Sequence, residues 1–405
     1  MPETAPLIPR RHPDSRRPIP AGVALIGRLL GIRGPDDARF ARLGELLMAG
    51  DPDMDQFAEW MSGRQDVRPL FEQALATGID SVEHAPTELK ELFARLENTP
   101  DWVDHAQLEI AAAAMRSGGS DGLAIARDVA LLGGYQFAGF NQTLLRTGAL
   151  EKGSTARFAE TSEWAMDVIS PGGLDLFGAG YRSTIRVRFI HSMVRRHVAA
   201  MHDWDPAEWG LPINQTDMAA TIVGSLVAPT LGGASMGLIN RPHEYRAVAH
   251  LTRYVGWLMG IDDELLPTDF RDCVRLLTHT SAALATPDET SKRLAKPMAD
   301  DPLQWHYARF APMRRRLSRS KHLSISVALL GRRAMARLGL PTGTIPWYPV
   351  LVFPRNLVWS VIGLHPRGRQ VTARLGDRDA RAFLAVMTEA PATIGASTTV
   401  ADHVA

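Results

Sequence analysis

The residues with the most chemical potential are crowded into one stretch, IRVRFIHSMVRRHV (185–198). It carries Arg186, Arg188, Arg195 and Arg196 together with His191 and His197, set among Ile185, Val187, Phe189, Ile190, Met193, Val194 and Val198. The two histidines lie six residues apart, and no HExxH pattern occurs, so a hydrolytic zinc pair is not supported. Cys273 is the only cysteine, which excludes an internal disulfide framework, a multi-cysteine zinc site and an all-cysteine iron–sulfur cluster. Any bound metal must come from the 13 histidines or from carboxylates.

With about 100° per residue, the apolar side chains of 185–198 spread over one broad face, and Arg188, Ser192, Arg195 and Arg196 gather opposite. His197 falls near the middle of the apolar face and His191 at its edge, so periodicity does not choose between them. Either can be a hydrogen-bonded core histidine. A single imidazole on an apolar helix also suits haem, which needs one axial nitrogen and an oily pocket; Arg195, one turn after His191, is then in reach of a propionate. A second helix, STARFAETSEWAMDVI (154–169), sets Arg157 and Thr161 one turn apart on a stripe shared with Trp164 and Val168. Glu160 sits at the border of that face. The pair reads either as an internal ion pair with a back-bonded threonine, or as donors aimed into a cavity, with Trp164 against whatever fills it.

The elements that position these residues are helical. Helix spacing recurs over 122–132, 154–169, 184–202, 215–227, 243–259, 268–285 and 377–388. The best strand candidates, SISVALLG (324–331) and YPVLVF (348–353), are short. The expected fold is all-α: a single helical domain over 36–390, a flexible or domain-wrapping arm over 1–35, and a tail over 391–405. The chain has 405 residues, 45% of them hydrophobic, and a net charge of +1, so no global field selects nucleic acid. The arginine pairs near the N-terminus are not followed by the apolar run and cleavage site of an export signal, so a cytoplasmic protein is expected. The uncharged segment 221–239 holds four glycines and Pro229 and reads as a broken core helix, not a membrane span. A second apolar run, 347–364, reads as a core element or as a greasy surface that touches lipid or a lipid-like substrate.

These motifs resemble a family. RFAET (157–161), followed thirty residues after its threonine by His191, is similar to the catalytic domain of the latex-clearing proteins, bacterial rubber oxygenases whose family also includes fungal membrane-bound oxygenases of mycophenolic acid biosynthesis. WGLPINQTDMAATIVG (209–224), RYVGWLMGIDDELLP (253–267) and LGLPTGTIPWYPVLVFP (338–354) follow in the family's order, so the resemblance covers about 125–360. It implies a globin-like helical core and a non-covalently bound haem b with His191 as axial ligand and Arg157 and Thr161 nearby. It also implies insertion of O2 across a carbon–carbon double bond of an isoprenoid or other apolar unsaturated substrate. Two positions depart from the pattern: Glu160 stands where some rubber oxygenases have lysine, and Asn141 where rubber cleavers place a carboxylate, Glu151 being the nearest acid. A small terpenoid or unsaturated lipid is therefore expected in place of rubber. The alternatives are a haem protein without oxygenase activity and a haem-free lipid-binding protein.

Overall fold

The computed structural model describes residues 7–148 and 153–388. Thirteen helices matter for the site. In the first half they are α1 (Ala21–Leu29), α2 (Pro52–Met61), α3 (His105–Arg116), α4 (Gly119–Ile125), α5 (Ala138–Arg146), α6 (Ser154–Val168) and α7 (Ala179–Ala199). The second half supplies α8 (Gln215–Ser235), α9 (Pro242–Leu258), α10 (Phe270–Ala283), α11 (Ala311–Leu330), α12 (Trp347–Ile362) and α13 (Pro366–Met387). No strand occurs among the described residues. Both strand candidates are helix: 324–331 runs along the end of α11, and 348–353 lies within α12. Short apolar runs carry no period long enough to separate the two states, and here helix packing on both flanks decides.

One apolar cluster joins residues from Leu43 to Ala283 and includes Trp164, Tyr181, Ile185, Phe189, Ile222 and Tyr254. Three smaller clusters seat the C-terminal helices. Helix α3 packs on α9, α6 on α7, α7 on α2, and α13 on α3 and α4. Helix α8 packs on α9, on α10 and on the wide π-turn at Ala126–Leu131. It runs unbroken through Pro229, whose missing amide frees the Ser225 carbonyl. By length and composition α8 is the one described helix able to cross a membrane; those helices hem it in.

The arm wraps the body. Arg10 and Arg11 donate their amides to the carbonyls of Ala207 and Glu208, and the Arg11 guanidinium forms a buried pair with Asp217 at 2.7 Å. Arg17 reaches the Leu284 carbonyl at 3.0 Å, and α1 packs on α10. So within 7–35 the wrapping alternative describes the geometry, because buried arginine must be paired. The tail over 391–405 lies outside the described residues.

Helix α13 is fastened by a buried pair. Arg369 donates Nε and Nη2 to the two oxygens of Glu244 on α9, at 2.8 and 2.9 Å, and Nη1 to Ser117 Oγ at 2.6 Å. Burial alone would raise the Glu244 pKa; the bonds from Arg241 and the charge and bonds of Arg369 outweigh it and hold the carboxyl below its usual value. Glu244→Gln, which leaves Arg369 buried against a neutral group, is expected to lower unfolding free energy by about 3–5 kcal/mol in a denaturant titration. The depressed pKa sets the sign of the pH dependence. The Glu244 contribution is complete above about pH 4.3 and disappears as pH falls through the folded value, so the wild-type minus variant difference must shrink on acidification.

Candidate active site between helices six and seven

Helices α6 and α7 are joined by a ten-residue turn and run antiparallel. Two contacts fix their register. A Cβ on Gly180 would stand 2.6 Å from Val168 Cα, so the start of α7 lies hard against the end of α6 and only glycine fits. One turn further, Trp164 Nε1 donates to Thr184 Oγ1 at 3.0 Å, both side chains buried. Four residues on one helix match four on the other. Seven more residues back from Trp164 is Arg157, and seven forward from Thr184 is His191. Each step travels about 10 Å along its own helix axis from the Trp164–Thr184 contact. By the same count His197 lies past Ser154, where α6 begins.

Helix α7 buries a mixed face: Ile185, Phe189 and Val198 go inward, and so do Arg188, Ser192 and Arg195 of the polar side, while Arg196 stays exposed. Thr184, Arg188, Ser192 and Arg195 are buried, whereas Val187, Ile190, His191, Val194 and His197 are only half covered. The reason lies on α2. Arg188 donates Nε and Nη2 to Asp51, the N-cap of α2, at 2.6 and 2.8 Å. Arg195 bonds Asp55 one turn later and donates Nη2 to the Ile213 carbonyl at 2.9 Å. Gly260, at φ +76°, makes room: a Cβ there would lie 2.4 Å from Asp51 and 2.6 Å from Arg188 Nε. The Arg195 guanidinium is thus spent within the protein, also touching Ser192 and Met218, and is not held out toward a propionate.

His191 is left on the uncovered stripe. Its Nδ1 is sealed in and has no hydrogen-bond partner, and no bond is recorded at Nε2, which stays accessible. Burial, with the Arg195 cation second, pushes its pKa down to about 4, so the imidazole is neutral with a lone pair to give. The ring keeps part of its surface accessible. Helix α8 borders open space: a Cβ on Gly224 would meet nothing within 4 Å.

Across the hairpin, Arg157 donates only to the Tyr135 hydroxyl, at 3.3 Å, and has no ion pair among the described residues. Thr161 is exposed and its Oγ1 back-bonds to the Arg157 carbonyl at 3.0 Å. Glu160 is half-buried. Trp164 is the peg of the hairpin. Asn141 is fully buried and donates to the Tyr135 carbonyl, Thr290 and Ser291; Glu151 lies outside the described residues. One turn from Thr161, Ala165 lines a cavity of about 100 Å3 that runs past Ser225, Pro229 and Gly233 of α8.

His322 is the other deeply buried imidazole. Its Nδ1 is 2.6 Å from Asp128, and Trp305 and Phe383 close over the ring, so it meets no open space. No group of three metal-ligating side chains exists among the described residues. A metal already held by a macrocycle would need only one neutral imidazole from the protein. The asymmetry of His191, sealed at Nδ1 and open at Nε2, fits such a group.

The fold is all-helical, and its family match makes it an oxygenase-family domain. A solved structure of latex clearing protein LCP in the closed state superposes with a TM-score of 0.57, covering 84% of this chain and 91% of that one at 14% identity. The chain belongs to the family described as ER-bound oxygenase mpaB/B'/rubber oxygenase, whose catalytic domain matches residues 124–360. Among curated proteins, none matches it in sequence.

Sequence reasoning missed Asp51 and Asp55 as partners of the helix arginines; the Asp51-Pro52 helix start was the available signal. Thr184→Val is expected to leave the Trp164 N–H buried without a partner and to lower stability by about 1–3 kcal/mol in a denaturant titration. An unchanged unfolding midpoint would show that the bond does not hold the hairpin.

Proposed function

We infer that the chain is a haem b-dependent oxygenase that adds O2 to a carbon–carbon double bond of a small, apolar, unsaturated substrate such as a terpenoid or lipid. One observation carries the reading: a neutral imidazole on a half-covered apolar stripe of α7, with an arginine on the paired helix that has no ion pair among the described residues. His191 Nε2 is the atom that would hold the iron. When bound, haem supplies an iron site for dioxygen, chemistry that no side chain of this protein offers.

The protein's own residues do the rest. The half-covered stripe of Val187, Ile190 and Val194 and the open side of α8 at Gly224 exclude water and bury the substrate, at about 25 cal/mol per Å2 of apolar surface. Arg157 presents a cation to charge that develops on oxygen. The Tyr135 hydroxyl holds the Arg157 guanidinium in place. Thr161, back-bonded, shapes the wall beside Arg157, and Glu160 lies next to it. Arg195 anchors α7 through Asp55 and the Ile213 carbonyl; we assign it no contact with the cofactor.

His191→Ala, expressed with ample haem, is expected to be purified without the Soret absorption of the wild type and with its helical circular dichroism intact. Full haem content in that variant contradicts the ligand assignment. Arg157→Ala is expected to keep the Soret band and lose about 100-fold in oxygen uptake with an unsaturated terpenoid. A wild type with a Soret band and no oxygen uptake on any alkene would instead identify a haem protein of another kind.

A further inference from the structure

Helix α12 turns much of its apolar surface outward. Val350, Leu351, Phe353, Leu357, Val358, Val361 and Ile362 are exposed, Val350 at 73% and Val358 at 61%. The buried face of the same helix holds Pro349 and Val352 near its start and two polar residues, Asn356 and Ser360, further on. Asn356 donates Nδ2 to Asp121 and to the Met236 carbonyl, both at 3.0 Å. One turn on, Ser360 Oγ donates to the Gly237 carbonyl at 2.8 Å and accepts from the Ile239 amide at 2.9 Å. The apolar face continues through Leu364 to Val371 and Leu375 on α13, and to Met313 and Leu317 on α11, which packs against α12. Phe310, just before α11, is 74% exposed and held at φ +54°, a strained conformation for an aromatic residue. Water does not select a surface of this kind; a contiguous apolar face marks a contact site.

Charge says what the contact is. Between Asp301 and Asp377 there is no acidic residue, while the same interval holds 13 of the 45 lysines and arginines, leaving 32 basic against 44 acidic residues elsewhere. Arg309, Arg314, Arg316, Arg367 and Arg374 are exposed, alternate with the exposed apolar residues on α11 and α13, and form no ion pair among the described residues. A second copy would set these arginines against one another. An anionic lipid surface takes both the charge and the apolar face, which is the pattern of an interfacial helix. At 16 residues α12 is too short to cross a bilayer and long enough to lie in its surface.

The inner side of this helix meets the cavity. Trp359 and Ser360 line it, and so does Ile239, whose amide is bonded to Ser360 and whose side chain is 42% exposed. The opening therefore adjoins the apolar face. We propose that the face formed by α11, α12 and the start of α13 docks on the surface of an anionic phospholipid bilayer, with the cavity opening beside it so that apolar substrate enters from lipid. Docking stands independently of the haem reading; only the entry of substrate rests on it.

The test is sedimentation of the full-length chain with sucrose-loaded vesicles, of phosphatidylcholine alone or mixed with phosphatidylglycerol. The chain is expected to sediment with the mixed vesicles and to be released by salt. Val358→Asp and Leu351→Asp should each weaken partitioning about tenfold or more, and Arg316→Glu or Arg367→Glu about fivefold or more, with circular dichroism and unfolding midpoint unchanged. Absence of binding, or binding that ignores these variants, overturns the proposal. A dimer that Val358→Asp converts to monomer, with no vesicle binding, overturns it in favour of a second copy. None of these readouts involves haem or turnover, so failure here and failure of the oxygenase reading are separable.

Discussion

The buried pairs of Arg188 with Asp51 and Arg195 with Asp55 govern how helix α7 is turned. Two guanidinium groups taken from water need their carboxylates with them, and those carboxylates are fixed at the start of α2. That requirement turns Arg188 and Arg195 into the body and leaves Val187, Ile190, His191 and Val194 only half covered. Ordinary amphipathic packing would have covered these residues. The Trp164–Thr184 bond and the tight seat of Gly180 then set the height of α6 against α7. Orientation and register are separate constraints, and the site needs both.

A related arrangement occurs at α12, where Asn356 and Ser360 go inward with Val352 while seven other apolar residues of the helix stay out. In both places polar groups with committed partners occupy the interior, and apolar surface is left for something that is not water. For α12 that surface is the outside of the molecule. A cavity lined by Ala165 of α6, Ser225 and Pro229 of α8, and Trp359 and Ser360 of α12 adjoins it. An oxygenase for an apolar substrate needs such a path, because a molecule with almost no polar handle is scarce in water and is held only by burial.

Much of the architecture was legible in the chain. The 3.6-residue spacing that marks 154–169, 215–227, 243–259 and 268–285 corresponds to real helices, because apolar periodicity over several turns is a local signal. The faces were not legible in the same way. Arg188 meets Asp51 across 137 residues, and a helical wheel that assigns arginine to solvent cannot see that partner. Trp164 was legible as an inward residue, but its N–H partner Thr184 lies twenty residues on and shows only in three dimensions. The runs 324–331 and 348–353 are apolar on too short a scale to separate strand from helix, and Pro349 and Pro354 argued against the helix that forms. The choice of His191 over His197 came from family resemblance, since periodicity alone did not separate them. The acid-free interval from 302 to 376 was present in plain composition, yet a net charge of +1 over the whole chain conceals it.

The account stands or falls on what binds at His191. The most direct measurement is anomalous X-ray diffraction at the iron edge from crystals of the chain produced with ample haem. A single iron peak beside His191 Nε2 is the predicted result. Haem-loaded crystals with no iron there, or with iron against His197 or any other histidine, would contradict the assignment and with it the role given to the hairpin.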